Sequence, residues 1–153
     1  MLLWQRTRFL GTGRITIAAI HARDLAEHPE AGETVAMLWL YAVAATMTDG
    51  ARCADPAARD AGIERLRGPS YQPVLRVIRA LPEDKLNTAR ETAIRLEAPL
   101  AQQRPDDTIC GTGQGRPEIR PIDQWRPAAA NTRAMLRRHL KAMTSVLRPP
   151  PPR

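Results

Sequence analysis

Two cysteines, Cys53 and Cys110, are the residues here that could form a covalent cross-link, a thiolate nucleophile or a soft metal ligand, and they lie 57 positions apart. Each sits in acid-flanked, loop-like sequence, "MTDGARCADP" around the first and "RPDDTICGTG" around the second. Asp49 and Arg52 precede Cys53, and Asp106 and Asp107 precede Cys110, so these four residues with the thiols form a candidate polar site. A nucleophilic cysteine needs its thiolate, which a helix N-terminus or a nearby cation favours. Arg52 and the helix start expected after Asp55 would activate Cys53. Asp49 and Asp55 oppose that, and Asp106 and Asp107 would hold the thiol of Cys110 protonated. A structural zinc needs four ligands, usually presented as close pairs. Neither cysteine has a close partner and His21, His28 and His139 are scattered, so the sequence gives no metal site, no catalytic set and no cofactor.

A disulfide is the leading expectation for the pair. Free structural cysteines behave as small hydrophobes on buried stripes, whereas both of these fall at the ends of expected helices. Joining them would close a loop worth about 4 kcal/mol of chain entropy. The reducing cytosol argues the other way, because no standard signal peptide can be read: "ITIAAI" is too short an apolar region and no A-x-A site follows it. Two inert thiols, and a reactive or metal-bound pair, remain the alternatives.

The other chemistry-bearing stretches read as structural. "GTGQG" at 111–115 lacks the strand, the helix and the spacing of a dinucleotide-binding loop, and fits a hinge. Asp106-Asp107 and Glu83-Asp84 are sequence neighbours that point in different directions, which makes no acid/base dyad. "RAMLRRHLK" offers Arg133, Arg137, Arg138 and Lys141 as a candidate anion-binding face for nucleic acid or an anionic membrane surface. No aromatic residue is interleaved for base stacking. The simpler reading docks a Leu136, Leu140, Met143 stripe on the body with the cations in water.

The elements that must position these residues are helical. A helix from about Glu33 to Thr48 is apolar nearly all round and belongs at the centre; Asp49-Gly50 should stop it, with Gly50 in a left-handed C′ conformation. Asp55-Pro56 then starts a short helix closed by Gly68-Pro69. Ser70 begins another through Leu81, and Pro82 opens one with the stripe Leu86, Ala89, Ala93, Leu96 and Leu100, which Pro99 should end or kink near Glu97. Residues 1–13 read as an N-terminal arm, 14–110 as the helical domain with a loose first helix up to Pro29, and 111–126 as an irregular Gly/Pro-rich linker in which "RPEIRPI" could lie extended. Residues 127–147 read as one C-terminal amphipathic helix and 148–153 as a Pro-rich tail without reason to fold. The expected fold is all-α, a small irregular helical bundle.

Charge and length bound the rest. At 153 residues the chain is long enough for one core without obligatory staples. Its net charge of +7 is unevenly spread: residues 1–20 hold three Arg and no acid, 21–110 hold eleven basic and fourteen acidic residues, and 111–153 hold nine basic and two acidic. Basicity therefore belongs to the ends. The longest apolar run, Ala36 to Ala45, is half the ~20 residues a transmembrane span needs.

The segments "LWLYAVAATMTDGARCADP" and "LPEDKLNTARETAIRLEAPLAQQRPDDTIC" resemble a family of small uncharacterised bacterial proteins. That pattern has a helix ending in Met-x-Asp-Gly-Ala-Arg-Cys and a later Asp-Asp-x-x-Cys, matched here by Met47, Asp49, Gly50, Ala51, Arg52, Cys53, Asp106, Asp107 and Cys110. The resemblance covers about half of the chain and carries no known activity. It implies that the two segments belong together, as a disulfide or a shared polar site would require. The functional expectation is a non-enzymatic, disulfide-stapled interaction or accessory protein of the periplasm or envelope, with another protein as partner. A cytosolic nucleic-acid-associated protein using 111–153, and an enzyme with a site around Cys53 and Cys110, are the competing expectations.

Overall fold

The structure, a computed structural model, describes residues 2–104, 110 and 119–148. Within them the chain is all-α: α1 (Leu2–Thr12), α2 (Ile15–Leu25), α3 (Gly32–Gly50), α4 (Pro56–Leu66), α5 (Gln72–Ala80), α6 (Glu83–Ala101), α7 (Ile122–Ala134) and α8 (Leu136–Leu147), with short 3-10 turns before α3 and α5. No helix among the described residues is long and apolar enough to cross a membrane.

The all-round apolarity of α3 has the expected consequence. Leu38, Trp39, Leu40, Tyr41, Ala42, Val43, Ala44 and Ala45 are all buried, and α2, α4, α5, α6, α7 and α8 pack around them. Full burial of side chains such as Leu38 and Leu40 contributes about 1.5–3 kcal/mol each. The abundant alanines let neighbouring helices approach closely. The polar tip of Trp39 is satisfied inside this core, its Nε1–H donating to the Leu66 carbonyl at 3.0 Å.

Several expected boundaries shift, each for a local physical reason. Residues 2–12 are a helix, not an arm: Phe9 is buried edge-on to Tyr41, ring centroids 4.9 Å apart, and Gln5 donates to Asp24 on α2 at 2.7 Å. Among the described residues the left-handed glycine is Gly13, at φ +63° between α1 and α2, not Gly50. Gly50 instead supplies space, since a Cβ there would lie 2.6 Å from Cγ of Arg59. Beyond it the backbone winds down in successive short bonds, from Ala51 N–H to Thr48, Arg52 to Asp49 and Cys53 to Gly50. The expected start at Asp55 holds, with Oδ1 accepting from the Ala57 N–H at 2.9 Å.

Helix α6 runs through Pro99 to Ala101, its last turn anchored by buried Leu100. The expected single helix from Pro127 is two helices. The first begins at Ile122, inside what reads as linker, and carries Pro127 internally; the break falls at Met135, whose ψ of 2° interrupts the helical winding. Residues 105–109 and 111–118, which include Asp106, Asp107 and the "GTGQG" stretch, and the tail beyond 148 lie outside the described residues.

Candidate functional site

The corner at the C-terminal end of α3 gathers Asp49, Arg52, Cys53 and Cys110 of the residues singled out by their chemistry, while Asp106 and Asp107 lie outside the described residues. Cys53 is bonded to Cys110, with their Cα atoms 5.0 Å apart. Alongside, Cys53 and Ile119 form an isolated antiparallel bridge in which the Arg120 N–H donates to the Arg52 carbonyl at 2.7 Å. The Arg52 guanidinium lies over the Trp125 ring, 4.6 Å from its centroid, and Arg126 approaches the same ring at 5.9 Å. Each such contact contributes about 0.5–1 kcal/mol at a partly exposed position. The end of α3 is thus tied covalently to the chain beyond α6 and non-covalently to the start of α7.

One turn deeper lies a charge cluster at which the sequence pointed through Asp49 and, as a candidate anion-binding residue, through Arg133. Arg104, just past the end of α6, donates from Nε to Asp49 Oδ2 at 3.0 Å and from Nη2 to Asp49 Oδ1 at 2.8 Å, a bidentate pair. Its Nη2 also reaches Glu97 Oε1 at 2.9 Å, and its Nη1 reaches the Tyr41 hydroxyl at 3.0 Å. Arg133 on α7 completes the set, its Nε donating to Glu97 Oε2 at 2.6 Å. The Tyr41 hydroxyl donates to the Gly13 carbonyl at 2.7 Å, which brings the α1–α2 turn into the same network. The Glu97 side chain is 0% exposed and that of Arg104 3%.

Electrostatics follow from that geometry. Burial alone pushes the Glu97 carboxyl up, but the hydrogen bonds from Arg133 and Arg104 and their charges outweigh it and hold the group below its ordinary 4.5. Burial foremost pushes the Tyr41 phenol up to about 12, so it stays a donor. Burial works to lower Arg104, but the hydrogen bond and charge of Asp49 dominate and keep it firmly protonated. Two guanidinium groups balance two carboxylates, and among the described residues no buried side-chain polar atom lacks a partner. Both Glu97 oxygens and both Asp49 oxygens are occupied, which suits a brace better than a proton-transfer site. Nor do the described residues contain a group of three or more His, Cys, Asp and Glu placed to hold a metal.

Arg133, Arg137, Arg138 and Lys141 divide into two kinds. Arg133 is committed to Glu97, and Arg137 makes a bidentate pair with Glu91 on α6 at 2.7 and 2.8 Å. Arg138 and Lys141 are exposed on α8. An anion approaching Arg133 or Arg137 meets a guanidinium already partly neutralised by a carboxylate. Arg148 extends the pattern, donating to Glu83 Oε2 at 2.7 Å, while Arg90 joins Glu83 at 2.9 Å to Thr144 at 2.8 Å. The pairs 83–148 and 91–137 show α8 running antiparallel along α6, and the pair 97–133 ties the last turn of α7 to the same helix.

Glu97, Arg104 and Tyr41 carry the cluster, and none stood out in the sequence. One signal existed. The buried stripe of α6 is Leu86, Ala89, Arg90, Ala93, Glu97 and Leu100, with Leu96 only half-buried. Extending the three- and four-residue spacing through charged positions, instead of stepping to the nearest apolar one, reaches Arg90 and Glu97. No family model, no curated protein and no solved structure matches this chain.

Proposed function

We propose that this chain is a non-enzymatic, disulfide-stapled helical scaffold of the bacterial cell envelope, serving as an interaction or accessory module for another protein. The observation that carries the reading is the Cys53–Cys110 bond, which commits both thiols of the chain to a structural corner. Disulfides persist in oxidising compartments and are rare in a reducing cytosol. Support comes also from the saturated charge cluster behind the bond, where the carboxylates that could serve a reaction are held by arginines. The resemblance to small bacterial proteins that share the Asp-Gly-Ala-Arg-Cys and Asp-Asp-x-x-Cys segments fits the same role. A nucleic-acid role for the C-terminal segment draws less support, since Arg133, Arg137 and Arg148 are engaged within the chain.

Alkylation without reductant followed by intact-mass measurement tests the reading on protein taken from its native compartment. The expected result is no label before reduction and two after it. Two labels before reduction would overturn the staple.

A further inference from the structure

We propose that the Asp49–Arg104 ion pair guides the oxidation of Cys53 and Cys110, so that the folded reduced chain closes its own disulfide through a preformed electrostatic clasp. The inference rests on the stapled reading above and adds how the staple is set. Both links close nearly the same loop: 55 residues separate Asp49 from Arg104, and 57 separate the cysteines. The clasp is bidentate, with bonds of 2.8 and 3.0 Å, and Arg104 is additionally held by Glu97 and the Tyr41 hydroxyl. Arg104 lies beyond the last residue of α6, so it is these side-chain bonds, together with its N–H donating to the Leu100 carbonyl at 3.0 Å, that fix the chain there.

In the unfolded chain 57 residues separate the thiols, whereas the closed clasp leaves four from Asp49 to Cys53 and six from Arg104 to Cys110. Loop-closure probability scales roughly as the inverse three-halves power of length, which raises the chance of thiol encounter about tenfold over the unfolded chain, a gain shared between the clasp and the packing of α3 on α6. The oxidant is a small-molecule disulfide such as oxidised glutathione. One cysteine thiolate attacks it, forming a mixed disulfide and releasing one glutathione thiolate. The second cysteine thiolate then attacks the protein sulfur of that mixed disulfide, forming the Cys53–Cys110 bond and expelling the second glutathione thiolate. Two protein thiols lose two electrons and two protons, and oxidised glutathione becomes two molecules of reduced glutathione.

The coupling is measured by equilibrating the full chain in defined mixtures of reduced and oxidised glutathione, quenching in acid, alkylating, and scoring intact mass, which yields an effective concentration of one thiol for the other. The native chain should exceed the same chain in denaturing urea by about tenfold or more. Asp49→Asn, which removes the charge and one acceptor of the clasp while leaving Arg104 on Glu97 and Tyr41, should lower the native value by part of that gain, about two- to fivefold, at unchanged helical circular dichroism. Asp49→Glu, which keeps a carboxylate, should recover most of the loss, and Arg95→Gln on the exposed side of α6 should match the parent chain. A folded Asp49→Asn chain with the parent value, or a native parent value no higher than in urea, overturns the proposal. Free thiols in the native compartment would remove the envelope staple yet leave this coupling intact, because the buffer sets the redox conditions. A normal disulfide in the compartment with an unaffected Asp49→Asn chain would do the reverse.

Discussion

Arg104 separates two carboxylates that would otherwise face each other in a buried pocket, with Asp49 on one side and Glu97 on the other. Taking one partner out of a buried ion cluster leaves uncompensated charge away from water, a far larger effect than the cluster's net contribution to stability. Arg104→Met should therefore destabilise the chain by about 3–5 kcal/mol in urea unfolding, whereas Arg137→Met, whose partner Glu91 is at the surface, should shift it by under about 1 kcal/mol. Equal effects from the two would contradict the brace. The sign with pH is set by the same groups: Glu97 is held below its ordinary 4.5, so its contribution is complete above that value and is lost as the pH falls through the lower folded-state value. Of this cluster the sequence showed Asp49, through its place beside the cysteine, and Arg133, as a candidate for holding an anion. Glu97 and Arg104 were illegible as a site because a charge on a helix face reads as solvated until a partner is known. Their partners come from elements 36 and 55 residues away.

At the scale of elements, the α1–α2 turn depends on one backbone conformation. Gly13 sits at φ +63°, and a Cβ there would lie 2.8 Å from the Leu100 carbonyl oxygen and 3.1 Å from the Tyr41 hydroxyl. Strain and collision act together at this position, and neither Leu100 nor Tyr41 is free to retreat. Gly13→Ala should cost about 1–3 kcal/mol and expose the amides of α1 to hydrogen exchange before those of α3. Uniform exchange across both helices would argue that α1 is not an independently docked piece. The central helix, the Asp55 cap and the Pro82 start were all readable because each is local: an unbroken apolar run, an Asp before a Pro, acids in a first turn. The misread boundaries were tertiary. Pro99 and Pro127 sit inside helices because packing on either side outweighs one missing backbone bond, and the two glycines of residues 11–13 disguised a helix whose docking depends on Phe9 and Gln5.

For the whole molecule, part of the uneven charge is used inside the chain. Helix α8 lies antiparallel along the acid-bearing face of α6, with Arg137 and Arg148 meeting Glu91 and Glu83, and Arg133 at the end of α7 meets Glu97. Burying Leu136, Leu140 and Leu147 supplies the adhesion, and the charge pairs fix the register and direction, since a reversed helix would set these cations against the wrong ends of α6. The disulfide acts on a different state. Because the ion pair and the helix packing already hold the corner when folded, the covalent bond restricts mainly the unfolded chain, where it removes the entropy of a 57-residue loop. Replacing both cysteines by Ser should therefore leave helical circular dichroism unchanged while lowering the unfolding free energy by about 4 kcal/mol. The urea dependence should steepen as well, because the unstapled unfolded chain exposes more surface. The parent chain under reductant should superimpose on the double variant in both respects. A variant that loses helical signal at the outset would show that the bond holds the native corner itself. A variant as stable as the oxidised parent would show that the unfolded chain is already confined by other means.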